Sequence, residues 1–113
     1  MHELALMDAV QRLAEREVRR QGASRIHRLH LRIGSLAGVD PDALQFAFDV
    51  VMAKRCSEGA TLDLEVVATV CFCSHCRQDF APRDVIYACP SCGALSAQVL
   101  QGRELELVAM EVS

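Results

Sequence analysis

The sequence predicts an α+β fold in which two helices cover a three-stranded sheet, with a cysteine-rich module inserted into the chain. Three observations support this prediction. Apolar residues recur every three or four positions in two segments, they alternate in three others, and five of the six cysteines fall between the last two alternating segments. With 113 residues and 51% apolar composition, the chain has the length of one small domain with a satellite.

The two predicted helices are amphipathic. The first covers residues 4–20, and Gln11 lies among the polar residues that are expected to face solvent. Asp40 is expected to cap the second helix, because its side chain can accept a hydrogen bond from a first-turn amide, and Pro41 suits the first helical position. The apolar stripes are Met7, Val10, Leu13 or Ala14, and Val18 in the first helix, and Leu44, Ala47, Phe48, Val51 and Met52 in the second.

The three predicted strands alternate apolar and polar residues over residues 26–33, over residues 62–70, and around Leu105 and Leu107. Arg28 and Arg32 face outward from the first strand, and the other two strands carry outward acids. Opposite charges across neighbouring strands favour pairing, so the three strands are expected to form one sheet. Residues 1–70 and 99–113 are then one discontinuous domain, and residues 71–98 are the inserted module.

The module contains two Cys-x-x-Cys pairs, Cys73 with Cys76 and Cys89 with Cys92. Such spacing lets both thiolates of a pair face one point, and two pairs complete a tetrahedron of sulfur ligands. Zn²⁺ suits this geometry, and iron is the alternative, although nothing in the sequence requires redox chemistry. Four thiolates close the coordination shell, so we expect a structural zinc and no catalytic residue.

Three further side chains are interpreted as structural. Cys56 is expected to be a small buried or half-buried apolar residue, and Cys71 to pack at a strand end, with exchange into the zinc site as its alternative. His75 is expected to be a solvated turn residue, with pH sensing or ligand exchange at the zinc as the alternative. Gly93 can adopt the positive φ that lets a turn aim backbone amides at sulfur.

Charge and targeting signals narrow the functional class. The net charge of −3, with a neutral module, argues against a nucleic-acid surface. No segment is long and apolar enough to span a membrane, and no signal peptide is apparent, so a reducing cytoplasm is expected. Residues 12–32 carry seven arginines and two glutamates. We interpret them as a solvated helix face with cross-strand partners, and a docking surface is the alternative.

The chain begins Met1-His2-Glu3. Its α-amine, the His2 backbone nitrogen and the His2 imidazole can form fused chelate rings around Ni²⁺ or Cu²⁺, which favour tetragonal nitrogen ligands. These three nitrogens leave at least one position open, which permits transfer of the ion. Met-His alone is a weak signal, because terminal residues are often disordered.

Taken together, three motifs resemble the hydrogenase nickel-incorporation proteins of the HypA/HybF type over essentially the whole chain. They are the Met-His-Glu start that leads into an amphipathic helix, Asp40 at the second helix, and the Cys-x-Cys-x-x-Cys with Cys-Pro-x-Cys module. The resemblance implies a nickel site at Met1, His2 and Glu3, with Asp40 as a further candidate, and a zinc site at Cys73, Cys76, Cys89 and Cys92. Capping is the competing role of Asp40, and separate oxygens can serve both roles.

Some members of that family carry a histidine after each cysteine pair. Here Arg77 and Gly93 occupy those positions, so the sequence departs from the pattern of a two-histidine pH switch at the zinc and leaves only His75 for such a role.

The resemblance implies a nickel metallochaperone and not an enzyme. Ni²⁺ is its transient cargo, and its partners are a nickel-handling maturation GTPase and the precursor of the hydrogenase large subunit, with urease as a further candidate client. A monomer is expected, or a weak or domain-swapped homodimer, because a discontinuous domain can exchange elements. The alternative function is a zinc-ribbon interaction or transcription-associated module with no nickel role.

Overall fold

The computed structural model describes residues 3–53, 55–83, 86–96 and 98–113, which form two helices and two three-stranded sheets. Neither described helix is long and apolar enough to cross a membrane. The predicted α+β class is confirmed. In chain order the elements are α1 (Glu3–Arg20), β1 (Ile26–Gly34), α2 (Pro41–Val51), β2 (Thr61–Val67), β3 (Val70–Cys73), β4 (Gln78–Phe80), β5 (Gln98–Gln101) and β6 (Leu105–Val112).

The first sheet has the strand order β2-β1-β6, so the predicted first strand lies in the middle. β1 runs parallel to β2 and antiparallel to β6. The predicted charge pairing is confirmed, since Arg32 Nε donates to Glu65 Oε2 at 2.7 Å and Arg28 lies 3.4 Å from Asp63. The Arg32 hydrogen bond holds the pKa of Glu65 below its usual value. These exposed pairs favour the observed strand register more than they add stability.

Both helices pack beside each other against the sheet and enclose the main core. Leu29, Leu31 and Ile33 of β1 are buried, as their alternation predicted. The cap of α2 is also confirmed, because Asp40 Oδ1 accepts a hydrogen bond from the Asp42 amide at 3.0 Å. The buried helix residues that fill this core are Met7, Val10, Ala14, Val18, Leu44, Ala47 and Phe48.

The structure differs from the sequence prediction in two elements. Gln11, expected on the solvent side, is only 2% exposed, because α1 packs against both the sheet and α2 and therefore buries a wide stripe. The second predicted strand was too long. β2 ends at Val67, and Val70 begins β3 in the other sheet. Apolar and polar residues keep alternating from β2 into β3, so the sequence pattern does not reveal that the chain leaves the first sheet and joins the second.

The second sheet has the order β4-β3-β5, with both neighbours antiparallel to β3. Its small core consists of Cys71, Cys73, Phe80 and Cys89, with Tyr87 and Val99 packed against it. Sulfur atoms make up a large part of this core. So few apolar side chains give little stability without a further crosslink.

The chain passes between the two sheets at a tightly packed junction. The amide of Gly34, at the end of β1, donates to Glu104 O at 2.8 Å, and the amide of Leu36 donates to Gly102 O at 2.7 Å. A Cβ atom on Gly34 would overlap the carbonyl group of Gly102. The loop that leads to Asp40 is therefore held directly against the segment that returns from the second sheet.

Candidate metal centres

Two tight turns carry the four predicted zinc ligands. The first follows β3, where the amide of Arg77 donates to Cys73 O at 2.7 Å and the amide of Cys76 points at the Cys73 sulfur, 3.4 Å away. The second is closed by the Gly93 amide, which donates to Cys89 O at 2.8 Å. The two turns therefore share one hydrogen-bond pattern, which the common Cys-x-x-Cys spacing produces.

The residue after each cysteine pair has a positive φ, 56° at Arg77 and 77° at Gly93. The glycine was expected to adopt this conformation. The arginine was not, because a side chain makes positive φ unfavourable. Position 77 follows the second cysteine of its pair as Gly93 does, and this correspondence was the only available indication.

The four sulfur atoms converge on one point. All lie within 4.8 Å of one another, with 3.6 Å between Cys73 and Cys92 and 4.0 Å between Cys76 and Cys89. Four sulfurs at about 2.3 Å from a central Zn²⁺ would be roughly 3.8 Å apart in a tetrahedron. The observed separations therefore fit a tetrahedral metal ion and are too long for a disulfide.

The electrostatic environment differs between the four thiols. Backbone amides of Cys92 and Ser91 that point at the Cys89 sulfur lower the pKa of this thiol to about 7. Hydrogen bonding to Cys92, burial and the other sulfurs raise the pKa of Cys76 to about 12. Metals bind thiolates, so a Zn²⁺ ion held by these four sulfurs would favour the deprotonated form of each thiol.

The other two cysteines and His75 have the burial that their predicted structural roles require. Cys71 is fully buried between its strand neighbours Phe80 and Val99 and lies outside the four-sulfur cluster. Cys56 is half-buried against the main core, and His75 is exposed. All six cysteines are free of disulfides.

The predicted nickel ligands lie at the other end of the chain. Met1 and His2 are outside the described residues, but Glu3 and Asp40 are brought together. The Asp40 amide lies 3.5 Å from Glu3 Oε1. Among the described contacts, only one carboxylate oxygen of Asp40 is used, and it accepts the capping bond from Asp42. The family resemblance had assigned Glu3 and Asp40 to one nickel site, but this particular hydrogen-bond contact between the Asp40 amide and the Glu3 carboxylate was not predicted.

The order of the elements explains the contact. α2 connects the parallel strands β1 and β2, so its N-terminus lies near the C-terminal end of β1. α1 precedes β1 after a short turn and runs in the opposite direction, which brings its own N-terminus to the same end. The Glu3 carboxylate, at the start of α1, therefore meets the Asp40 backbone amide, at the cap of α2.

Comparison with known proteins connects this architecture to nickel. Residues 1–112 match the family model described as "Hydrogenase/urease nickel incorporation, metallochaperone, hypA". A hydrogenase maturation factor HypA from Picosynechococcus sp. is 42% identical over 112 residues, with 99% of each chain covered. Another from Methylocella silvestris is 39% identical, also with 99% coverage of each chain.

Two solved structures share the fold over nearly the whole chain. A solution structure of HypA protein has a TM-score of 0.71 and 25% identity, and covers 100% of this chain and 97% of the other. The solution structure of the nickel metallochaperone HypA from Helicobacter pylori has a TM-score of 0.68, 23% identity, and coverages of 99% and 97%.

The fold, the four-cysteine cluster and these matches define a metallochaperone, a maturation factor and not an enzyme. The chain belongs to the HypA family of hydrogenase nickel-incorporation proteins.

Proposed function

We propose that this chain carries Ni²⁺ at its N-terminal end and releases it during maturation of [NiFe]-hydrogenase. The Met1 amine and the His2 backbone and imidazole nitrogens supply the ligands, and Glu3 and Asp40 supply nearby oxygens. The contact between Glu3 and Asp40 is the observation that best supports this location. An exposed set of mixed ligands favours exchange, because a coordination position stays accessible to the next protein.

The four cysteines hold Zn²⁺ in this proposal. Their sulfur separations support a closed tetrahedral shell, in which zinc organises the two turns and activates no water. The chain then divides into a nickel-binding domain, residues 1–70 and 99–113, and a zinc-binding module, residues 71–98. The separate cores of the two sheets support this division.

The partners follow from the cargo. The chain docks on a nickel-handling maturation GTPase and on the precursor of the hydrogenase large subunit, and it delivers Ni²⁺ to that precursor in the cytoplasm. The family description supports urease as a further client. Nucleic acids and membranes are not partners in this proposal, which the acidic net charge supports. The full-length family match favours this function over a transcription-associated zinc module.

Replacing His2 by alanine is expected to abolish nickel binding at the N-terminal site, because the chelate loses its imidazole. Calorimetry on zinc-loaded protein with a native N-terminus measures this, and the unaltered protein should bind a single equivalent. A Gly-Ser leader before Met1 should have the same effect, since it displaces the amine. His75→Ala is the matched control, because this histidine is exposed and far from Glu3 in the chain. Unchanged binding in the His2 variant or the extended protein would contradict the proposed site.

Replacing Asp40 by asparagine separates its two roles. Asparagine caps helices about as well as aspartate, so the stability of the fold should be retained to within about 0.5 kcal/mol. Nickel affinity should fall roughly tenfold, because the asparagine amide is uncharged and attracts Ni²⁺ less than the carboxylate does, whether it binds the ion directly or lies next to it. Asp40→Ala should lose the cap as well, at a cost of about 1 kcal/mol. Equal nickel affinity in the asparagine variant and the unaltered protein would leave Asp40 with the capping role alone.

A further inference from the structure

β6 is one of the two edge strands of the first sheet. It pairs with β1 on one side, and no other described strand lies on its outer side. Edge strands present unpaired amide and carbonyl groups, and proteins usually protect them by short length, proline or lysine. β6 has eight residues and contains neither proline nor lysine. Neither proposed metal site uses this edge.

Hydrogen bonds at the end of β6 determine which backbone groups point to the open edge. Ser113 exchanges two hydrogen bonds with Arg25, at 2.9 and 3.0 Å. Backbone groups alternate between the two sides of an antiparallel strand, so Val112 and Met110 direct their amides and carbonyls away from β1. Ile26, opposite Val112, accordingly donates its amide toward the β2 side and not to β6.

A groove runs between this edge and α1. On the helix it is lined by Leu13, Glu17 and Gln21, which are four residues apart and form one row, and on β6 by residues 107–110. Leu13 is 51% exposed, and Val108, which has no partner in the register with β1, is 42% exposed. Apolar side chains are therefore accessible beside a free backbone edge. This combination suits an extended peptide, whose main chain pairs with the strand while alternate side chains enter the groove.

The other face of β6 is acidic. Glu106 and Glu111 lie opposite Arg32 and Arg28 of β1, but these arginines pair with acids of β2. Both glutamates are exposed, and neither makes an ion pair with a described residue. A strand added beside β6 would place every second side chain next to these glutamates, where lysine or arginine is favoured and an acid is disfavoured.

We propose that the open edge of β6 and the groove beside α1 bind an extended segment of another protein, which adds a fourth strand to the first sheet. Apolar residues of the segment enter the groove, and lysine or arginine residues alternate with them on the acidic face. The main chain of the segment pairs with the outward backbone groups of Met110 and Val112. The partner is thus defined by a short alternation of apolar and basic residues.

Other occupants fit this edge less well. Antiparallel pairing of two β6 strands would bring the glutamates of both copies together on one face, which disfavours a second copy of the chain. The same acids repel a nucleic acid or an anionic membrane. The register shift at Val108 limits the regular part of the edge, so we expect weak binding that decreases as salt increases.

Nuclear magnetic resonance titration of the zinc-loaded full chain tests the proposal. The probe is a short peptide of alternating valine and lysine with acetylated and amidated ends. We expect chemical-shift changes along β6 and along the groove side of α1. At saturating peptide, the amides of Met110 and Val112 should exchange with solvent more slowly, because the added strand pairs with them. The same peptide with proline in place of its central valines should not bind, since proline removes the pairing amides.

Two sets of variants test the groove and the acidic face. Leu13→Gln should weaken binding of the valine–lysine peptide roughly fivefold, because it removes apolar contact area at little cost in helix propensity. Leu4→Gln is the matched control, since Leu4 is an exposed leucine of α1 outside the groove. Glu106→Lys combined with Glu111→Lys should weaken binding of this peptide and favour a valine–glutamate peptide instead. Circular dichroism confirms that each variant is folded.

The proposal is overturned if the chemical-shift changes lie elsewhere, if the proline peptide binds equally well, or if the Met110 and Val112 amides exchange at the same rate with and without peptide. Self-association through β6, seen as slower diffusion without peptide, also overturns it, because a second copy then occupies the edge. Equal effects of Leu13→Gln and Leu4→Gln overturn the role of the groove. A charge-reversed chain that keeps its preference for the valine–lysine peptide overturns the role of the acidic face. None of these outcomes depends on nickel binding.

Discussion

Replacing Gly34 by alanine is expected to destabilise the chain by more than about 3 kcal/mol, although the change adds a single methyl group. The added Cβ would occupy the space of the Gly102 carbonyl carbon and oxygen. These are backbone atoms, so no side chain can rotate aside to make room. The strand end and the segment returning from β5 must separate, or the variant does not reach the native junction.

Separation at this junction has a further cost. The Gly34 amide donates to Glu104 O, and the Gly102 carbonyl accepts from Leu36, at 2.8 and 2.7 Å. Moving the two segments apart lengthens both hydrogen bonds and displaces the loop that leads to Asp40. Urea unfolding followed by circular dichroism measures the loss of stability, and a reduced nickel affinity would report the displaced loop.

Gly22→Ala is the matched control for this substitution. Gly22 follows α1 with a φ of +69°, and a Cβ atom there would meet nothing within 4 Å. Alanine should therefore cost only about 1 kcal/mol, through its unfavourable backbone conformation. If the two variants lose similar stability, the close approach of Gly34 to Gly102 is wrong.

The sequence predicted the first sheet and both helices because each has a strong local pattern. Alternation in β1 depends only on which face is buried, and the opposite charges of Arg32 and Glu65 identified neighbouring strands. The cap at Asp40 involves residues two positions apart. Each of these features can be recognised within one segment or between two complementary ones.

Features that depend on the assembled fold were not predictable. Gln11 is a polar residue at a buried position, and its Nε2 has no hydrogen-bond partner among the described residues. Its burial arises from the neighbouring helix, which the pattern of α1 alone does not contain. The contact between Glu3 and Asp40 likewise depends on the direction of the β1-α2-β2 crossover.

In the four-cysteine cluster, too, the local features were predictable and those that depend on the assembled fold were not. The Cys-x-x-Cys spacing predicted which sulfurs converge, because the turn geometry is local. It did not predict the positive φ of Arg77, the second sheet, or the unequal pKa values of Cys76 and Cys89. Those pKa values depend on which amides and sulfurs surround each thiol after the two turns meet.

Replacing Cys89 by serine is expected to lower zinc affinity by more than about a hundredfold. A serine hydroxyl is neutral near pH 7 and is a poor ligand for Zn²⁺, and the substitution also removes a buried sulfur from the core of the second sheet. Competition with a chromophoric chelator measures the affinity. Cys56→Ser is the matched control, because Cys56 packs against the main core and lies outside the cluster, so zinc binding should be unchanged.

The same substitution tests whether zinc maintains the second sheet. Structural zinc sites contribute on the order of 10 kcal/mol of apparent binding free energy, which is far more than a core of three cysteines and one phenylalanine can replace. Amide resonances of β3, β4 and β5 should therefore collapse toward unfolded positions in Cys89→Ser, or after chelation of the unaltered protein. Those of β1, β2 and β6 should persist, because their core contains no cluster cysteine. If the amide resonances of β3, β4 and β5 keep their chemical-shift dispersion without zinc, the fold of the second sheet is independent of the metal.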